Sequence, residues 1–374
     1  MRNFINVQQG HGIQADGYEC QAIRTGMGRA IVARMGPEFA QVAKGDGEVT
    51  EKSDDHIVVK YKDGEEQRVP LGLVHTTAEG SMYPNTLVSG LEVGDKVKQF
   101  DVISYNKGFF KPSEFDARRV DYMEGCIGRI ALREATYTLE DSCSISVDFA
   151  KRMTTQVSKP KSIRISDFRQ NVTGLVKVGD SVDLDTILCT IEDTVSDDAG
   201  LYDDATREAL RRWAAMTPRA AVVGTVAKIE VFYNGDIEDM SESLQRIVAE
   251  SERNRKRQAK RLGVEYTTGY VPRQVRIDGH NLEQDQAVII VHITTSVGMG
   301  IGDKLVVGNQ GKSTVGEILR GNNRTLEGET IDMIFGAKSF IDRIITGPFV
   351  NGTTNTLMRY IGESAYDMYF GNEQ

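Results

Sequence analysis

The chain has 374 residues, 40% of them hydrophobic and 26% charged, which places it among ordinary globular proteins and excludes a disordered or fibrous one. Its length exceeds that of a typical domain, so two or three structural units are expected. A formal net charge of −9 argues against a protein that grips nucleic acid unaided, because that binding draws on clustered lysine and arginine.

From Ala30 to Tyr61 the segments RAIVARM, AQVAKGDGEV and HIVVKYKDGEE alternate β-branched runs with turn residues, which predicts antiparallel strands joined by tight turns. One pattern then occurs twice, as LEVGDKVKQFDVI over 91–103 and VKVGDSVDLDTIL over 176–188. Gly-Asp makes the turn, a valine follows shortly after, and an acidic residue precedes the next apolar strand, as in a β-barrel-sandwich. By itself the pattern speaks for hairpin geometry rather than activity, since glycine supplies positive φ cheaply. A short helix is predicted over 203–215, with Trp213 packing its base. A long charged helix is predicted over 237–262, capped by Asp236 and stopped by Gly263, acidic first and basic last. Its thin apolar face suggests that it projects. The basic run Arg253, Arg255, Lys256, Arg257, Lys260 and Arg261 suits either a nucleic-acid contact or a solvated helix end. A closing helix is predicted over 357–369.

Cys20, Cys126, Cys143 and Cys189 lie far apart, with no C-x-x-C pair, so reduced thiols in or near the core are expected. The five histidines are equally scattered and mark no metal site. The opening MRNFINVQQGHG has no signal-peptide pattern, and no apolar run reaches the roughly 18–20 residues of a membrane span, so a cytoplasmic location is expected.

The stretch GDKLVVGNQGKSTVGEIL carries GNQGKST, but a phosphate-binding P-loop requires a glycine where Val306 stands and a helix after the lysine. The remaining candidates are Lys304 and Lys312, eight residues apart in a glycine-rich turn. Two ammonium groups so placed can converge on one polyanion, or they can be two solvated lysines.

At these residues the chain resembles the C-terminal part of the multisubunit RNA polymerase β subunit. That family has a Gly-Asp-Lys turn followed eight residues later by a second lysine, which Gly302, Asp303, Lys304 and Lys312 match. Four further blocks stand in the family's order. RTGMGRAIVARMGPEFAQVAKGDGEVTEKSDDHIVVKY looks like the opening of the large C-terminal region, and IGRIALREATYTLEDSCSISVDFAKR looks like the block with an acidic pair before a serine. PRAAVVGTVAKIEVFYNGD with its charged helix is similar to the flap region, and TIDMIFGAKSFIDRIITG resembles the segment after the lysine turn.

The resemblance implies a mainly β protein with some α: a double-psi β-barrel over 1–155 and 265–374, interrupted at 156–264 by a flap-like barrel-sandwich insertion that carries the charged helix. It implies that Lys304 and Lys312 neutralise an RNA end and nucleotide phosphates, and that Glu140 and Asp141 lie near a second metal. Magnesium would be held mainly by aspartates of a β′-like partner, because no N-A-D-F-D-G-D-like cluster occurs here. The chain looks like a fragment of the kind produced when a bacteriophage polymerase divides β between polypeptides. It would work with β′-like and N-terminal β-like chains, meet DNA and RNA only inside that complex, and reside in the host cytoplasm or the virion. The family's His-Gly before the second lysine is here Gly308-Asn309-Gln310-Gly311, and a family arginine is missing from GPFVNGTT, where Asn351 stands. Glu140 and Asp141 also suit a solvated strand end. The alternative is a non-catalytic descendant of the barrel, a virion structural or assembly protein.

Overall fold

The structure, a computed structural model, describes residues 1–7, 13–20, 27–78, 81–114, 116, 118–193, 215–262, 264–272, 276–277, 279–308, 310–342 and 346–371. The helix predicted over 203–215, with Trp213, falls outside these residues save for Ala215. Among the described residues the protein is mainly β with few helices, at 42% strand and 20% helix, and it contains a closed six-stranded β-barrel. Two compact units divide the chain: residues 1–156 with 296–374, and residues 157–295.

In the first unit the barrel closes through the strands Arg2–Val7, Lys304–Val307, Gly311–Leu319, Ser142–Ser146, Met333–Phe335 and Val120–Leu132, the last pairing back to the first. Four of the six pairings are antiparallel. Two are parallel, Ser142–Ser146 with Gly311–Leu319 and Val120–Leu132 with Met333–Phe335. Each strand sends apolar side chains inward: Ile5, Leu305, Val307, Val315, Cys143, Ile145, Met333, Phe335 and Ile130 are all buried in one cluster. Phe149 joins them from the helix Val147–Arg152, whose first turn is capped where the Phe149 N–H donates to Ser146 Oγ at 3.1 Å. A separate four-stranded sheet of Glu66–Pro70, His56–Tyr61, Gly47–Lys52 and Lys96–Val97 encloses Val49, Ile57, Val59 and Val69.

One predicted strand is a helix. All of RAIVARM but its last residue, Met35, lies in the helix Met27–Arg34, which ends before Gly36-Pro37, where the proline ring cannot continue it. The Ile31-Val32 pair imitates a strand locally, yet only Val32 of the two is fully buried.

In the second unit, Gly224–Asn234 and Gln286–Val297 pair antiparallel along most of their length and bury Val226, Val231, Ile289, Val291 and Ile293. The charged helix runs Glu242–Leu262, five residues shorter at its start than predicted. Asp236 makes no side-chain cap and instead precedes a short 3-10 turn, Ile237–Asp239. Ser241 is the cap, its Oγ accepting from the Leu244 N–H at 3.3 Å. The helix does not project. Leu244 and Val248 are fully buried in this unit's core, and Arg255 lies over the Phe232 ring at 4.8 Å while donating to the Val231 carbonyl at 3.3 Å. Among the described residues no helix is long and apolar enough to cross a membrane.

Candidate functional site

The Gly-Asp turns share one geometry. In Glu92–Asp95, Lys177–Asp180 and Gly300–Asp303 the aspartate N–H donates to the carbonyl three residues back, and the aspartate carboxylate accepts that residue's N–H at 2.7 Å. The glycines Gly94, Gly179 and Gly302 have φ of 92°, 97° and 94°, the left-handed value that the third position of such a turn requires. Each glycine N–H donates to a valine carbonyl on a neighbouring strand (Val49, Val226 or Val315), and that valine's N–H donates back to the aspartate carbonyl. The turn before Lys304 is therefore the same structural device as the other two, and Asp303 is committed to it.

What sets the third turn apart is the hairpin that follows. Leu305 faces Ser313 and Val306 faces Lys312 across the strands Lys304–Val307 and Gly311–Leu319, with Lys304 opposite Thr314. Side chains alternate faces along a strand. Leu305, Val307, Ser313 and Val315 are buried, which leaves Lys304, Val306, Lys312 and Thr314 on the outer face. The two lysines are diagonal neighbours there, with Cα atoms about 7–8 Å apart. Both are exposed, and among the described residues neither ammonium has a carboxylate within ion-pair distance. A strand follows Lys312, not a helix, so no helix N-terminus completes a P-loop.

Glu140 and Asp141 are exposed and precede the strand Ser142–Ser146, which lies on the far side of Gly311–Leu319 from Lys304. The Thr314 N–H donates to the Asp141 carbonyl at 2.8 Å, and Ser142 is registered with Thr314. Thr314 is thus the residue between the acidic pair and Lys304, and two strand spacings of about 4.8 Å separate Ser142 from Lys304. Both acidic residues have positive φ, 35° at Glu140 and 53° at Asp141, a conformation that L residues with a Cβ seldom adopt in succession. The Asp141 N–H donates to Ser339 Oγ at 3.2 Å, which ties the turn to the segment after Met333–Phe335.

The sequence reading does not single out Thr314. The i, i+2 alternation from Lys312 is the signal that places it on the lysine face. Asn351 lies in the helix Gly347–Phe370, not in a loop, so GPFVNGTT forms the first turns of a helix that starts ten residues before the predicted one. Gln8, Gln9 and His11, which stand where the resemblance puts a glutamine-rich active-site segment, fall outside the described residues. Among the described residues no three His, Cys, Asp or Glu side chains are grouped to hold a metal ion. No protein-family model matches the chain, and no curated protein matches it in sequence.

Proposed function

We propose that the chain is a β-like part of a multisubunit, phage-type DNA-directed RNA polymerase, that its closed barrel is a double-psi barrel, and that the second unit is a flap-like insertion. The observation that carries this reading is the outer-face pair Lys304 and Lys312, neither with an ion pair among the described residues, beside the backbone-strained Glu140-Asp141 turn. Two cations on neighbouring strands repel each other, and an anion bridging them relieves that repulsion. Phosphoryl-transfer sites depend on such fixed charge, because developing negative charge on phosphate oxygens is stabilised by groups already in place. Lys304 and Lys312 would hold an RNA end or nucleotide phosphates.

Magnesium supplies Lewis-acid activation of the attacking and leaving oxygens in such a reaction. Glu140 and Asp141 are adjacent residues with two carboxylates between them, too few donors for a dedicated site, so the reading places the ion mainly on a β′-like partner. The outer half of the helix Gly347–Phe370 supports a partner, since Ile361, Tyr366, Met368, Tyr369 and Phe370 are all exposed. The same exposed helix, with the net charge of −9, supports the second reading, a non-catalytic virion structural or assembly protein derived from the barrel.

The test is co-purification with polypeptides encoded beside it, followed by RNA-primer extension. An associated chain with an aspartate-rich metal motif, and slower extension in both Lys304→Ala and Lys312→Ala, supports the polymerase reading. A complex of structural proteins alone, or wild-type extension in both mutants, removes it.

A further inference from the structure

A fourth turn makes the same bonds without a glycine. In Lys98–Asp101 the Asp101 N–H donates to the Lys98 carbonyl at 3.0 Å, and the Asp101 carboxylate accepts the Lys98 N–H at 2.8 Å. The Phe100 N–H donates to the Ala43 carbonyl at 2.9 Å, and the Ala43 N–H donates back to the Asp101 carbonyl at 2.8 Å. This is the bond pattern around Gly94, Gly179 and Gly302, with a phenylalanine at φ 70° where each of those turns has its glycine.

A left-handed backbone is uncommon for any residue with a Cβ and an outlier for a bulky one. The ring gives the fold little in return. Phe100 is 65% exposed, and among the described residues no aromatic ring or cation lies against it. Glycine would close the same turn without strain, so the strain points to a contact that the chain alone does not make.

The surroundings indicate what kind of contact. Lys98 and Gln99 precede the ring, Asp101 follows it, and Lys44 adjoins Ala43, the residue to which Phe100 is bonded. All four are polar, and Lys44, Lys98 and Gln99 are exposed. The centre of a protein–protein interface is a packed apolar cluster, which these neighbours do not supply. The acids close by are engaged, Asp101 within the turn and Asp46 with Lys62 Nζ at 2.7 Å. Among the described residues neither Lys44 nor Lys98 has an ion pair.

We propose that Phe100 is a stacking platform for a base of single-stranded nucleic acid, whose flanking phosphates meet Lys44 and Lys98. An aromatic ring stacks on any base, and ammonium groups beside it track the backbone, which is how single strands are held without sequence preference. The bases of a duplex are stacked on one another and offer the ring no face. The site lies outside the barrel strands that carry Lys304 and Lys312, so it stands whether or not that pair holds phosphate. The net charge of −9 opposes any polyanion, so binding by the chain alone is expected to be weak and best seen at low salt.

The test is amide-resolved NMR titration of the intact chain with an oligodeoxythymidine octamer, an abasic strand of the same length and a duplex of the same length. The octamer should shift the amides of Lys44 and Lys98–Asp101 saturably and bind about tenfold tighter than the abasic strand or the duplex, the difference one stacked base makes. Phe100→Gly should unfold in urea close to wild type, because relief of the left-handed backbone offsets what the exposed ring contributes. It should bind the octamer only as tightly as the abasic strand, and Phe100→Trp should keep the preference. Lys44→Ala and Lys98→Ala should weaken octamer and abasic strand alike and lower the salt dependence. No saturable shift by about 1 mM octamer, an octamer bound no tighter than the abasic strand, or wild-type octamer binding by Phe100→Gly overturns the proposal. In that last case, a co-purifying polypeptide that Phe100→Gly loses assigns the ring to a protein contact instead.

Discussion

The Asp303 carboxylate accepts the Gly300 N–H at 2.7 Å, closing the turn that launches Lys304 onto the outer face of the barrel. Asp95 to Glu92 and Asp180 to Lys177 repeat that bond at the same length, in different sheets. One Gly-Asp turn chemistry is therefore used three times, and the third sets Lys304 diagonal to Lys312 on a neighbouring strand of the barrel.

The shared geometry makes the glycine in each turn a measurable stability element. A Cβ at Gly94, Gly179 or Gly302 meets no atom within 4 Å, so the cost of alanine there is the left-handed backbone alone. Gly302→Ala, Gly94→Ala and Gly179→Ala should each lower stability by about 1–2 kcal/mol. Gly300→Ala, without positive φ and with its nearest neighbour at 3.9 Å, should stay within about 0.5 kcal/mol of wild type. Urea unfolding followed by circular dichroism measures all four. Equal stabilities for Gly302→Ala and Gly300→Ala would sink the turn argument.

Removing the lysines should leave the fold intact and the anion affinity reduced. Both are exposed, so Lys304→Ala and Lys312→Ala should each change stability by less than about 0.5 kcal/mol. Tripolyphosphate titrated into the isolated chain should shift the amides of Lys304–Val307 and Gly311–Thr314, with an affinity that falls as salt rises. Each single mutant should weaken it several-fold and the double mutant further. If the double mutant binds as wild type does, the pair is two solvated lysines.

Local chemistry makes these turns legible in the sequence, because Gly-Asp at a fixed offset dictates both the φ value and the carboxylate bond. The Met27–Arg34 helix is less legible, since Ile31-Val32 favours a strand until Gly36-Pro37 and packing around Val32 decide otherwise. The helix Gly347–Phe370 hides its first turns behind Gly347, Pro348 and Gly352, residues that propensity assigns to a loop. In the fold Pro348 occupies the first turn, where its missing N–H costs nothing, and Pro348 and Gly352 are both buried. The pairing of Arg2 with Arg129 in the barrel, and the place of Thr314 between Asp141 and Lys304, depend on strand registers that join residues far apart in sequence. No local pattern encodes them.

Three of the cysteines should behave as core side chains rather than thiols. Burial pushes Cys126 up to about 12, although Arg152 beside it acts the other way, and pushes Cys143 and Cys189 up to about 11. At pH 8 their thiolate fractions are on the order of one in a thousand or less. A pulse of iodoacetamide read by mass spectrometry should label half-buried Cys20 first in native protein, and all four quickly in urea. Fast native labelling of Cys126 or Cys143 would contradict the packing of the barrel interior.

The acid stability of the second unit should depend on Glu230. His292 Nε2 lies 2.9 Å from one carboxylate oxygen, and Lys228 Nζ lies 2.7 Å from the other. The bond to His292, aided by Lys228 and opposed by burial, holds Glu230 at about 2, below its ordinary 4.5. Because the folded-state value is the lower one, the stabilisation is complete above about pH 4.5 and is lost as pH falls through about 2. Allowing for solvent at this partly open site, its size is about 1–2 kcal/mol. Glu230→Gln should therefore cost about that much at pH 7 and should flatten the loss of stability between about pH 4.5 and 2. Urea midpoints measured at pH 7, 4 and 3 give the slope. A mutant that loses stability over this range as steeply as wild type would show that the cluster around Glu230 contributes nothing to acid resistance.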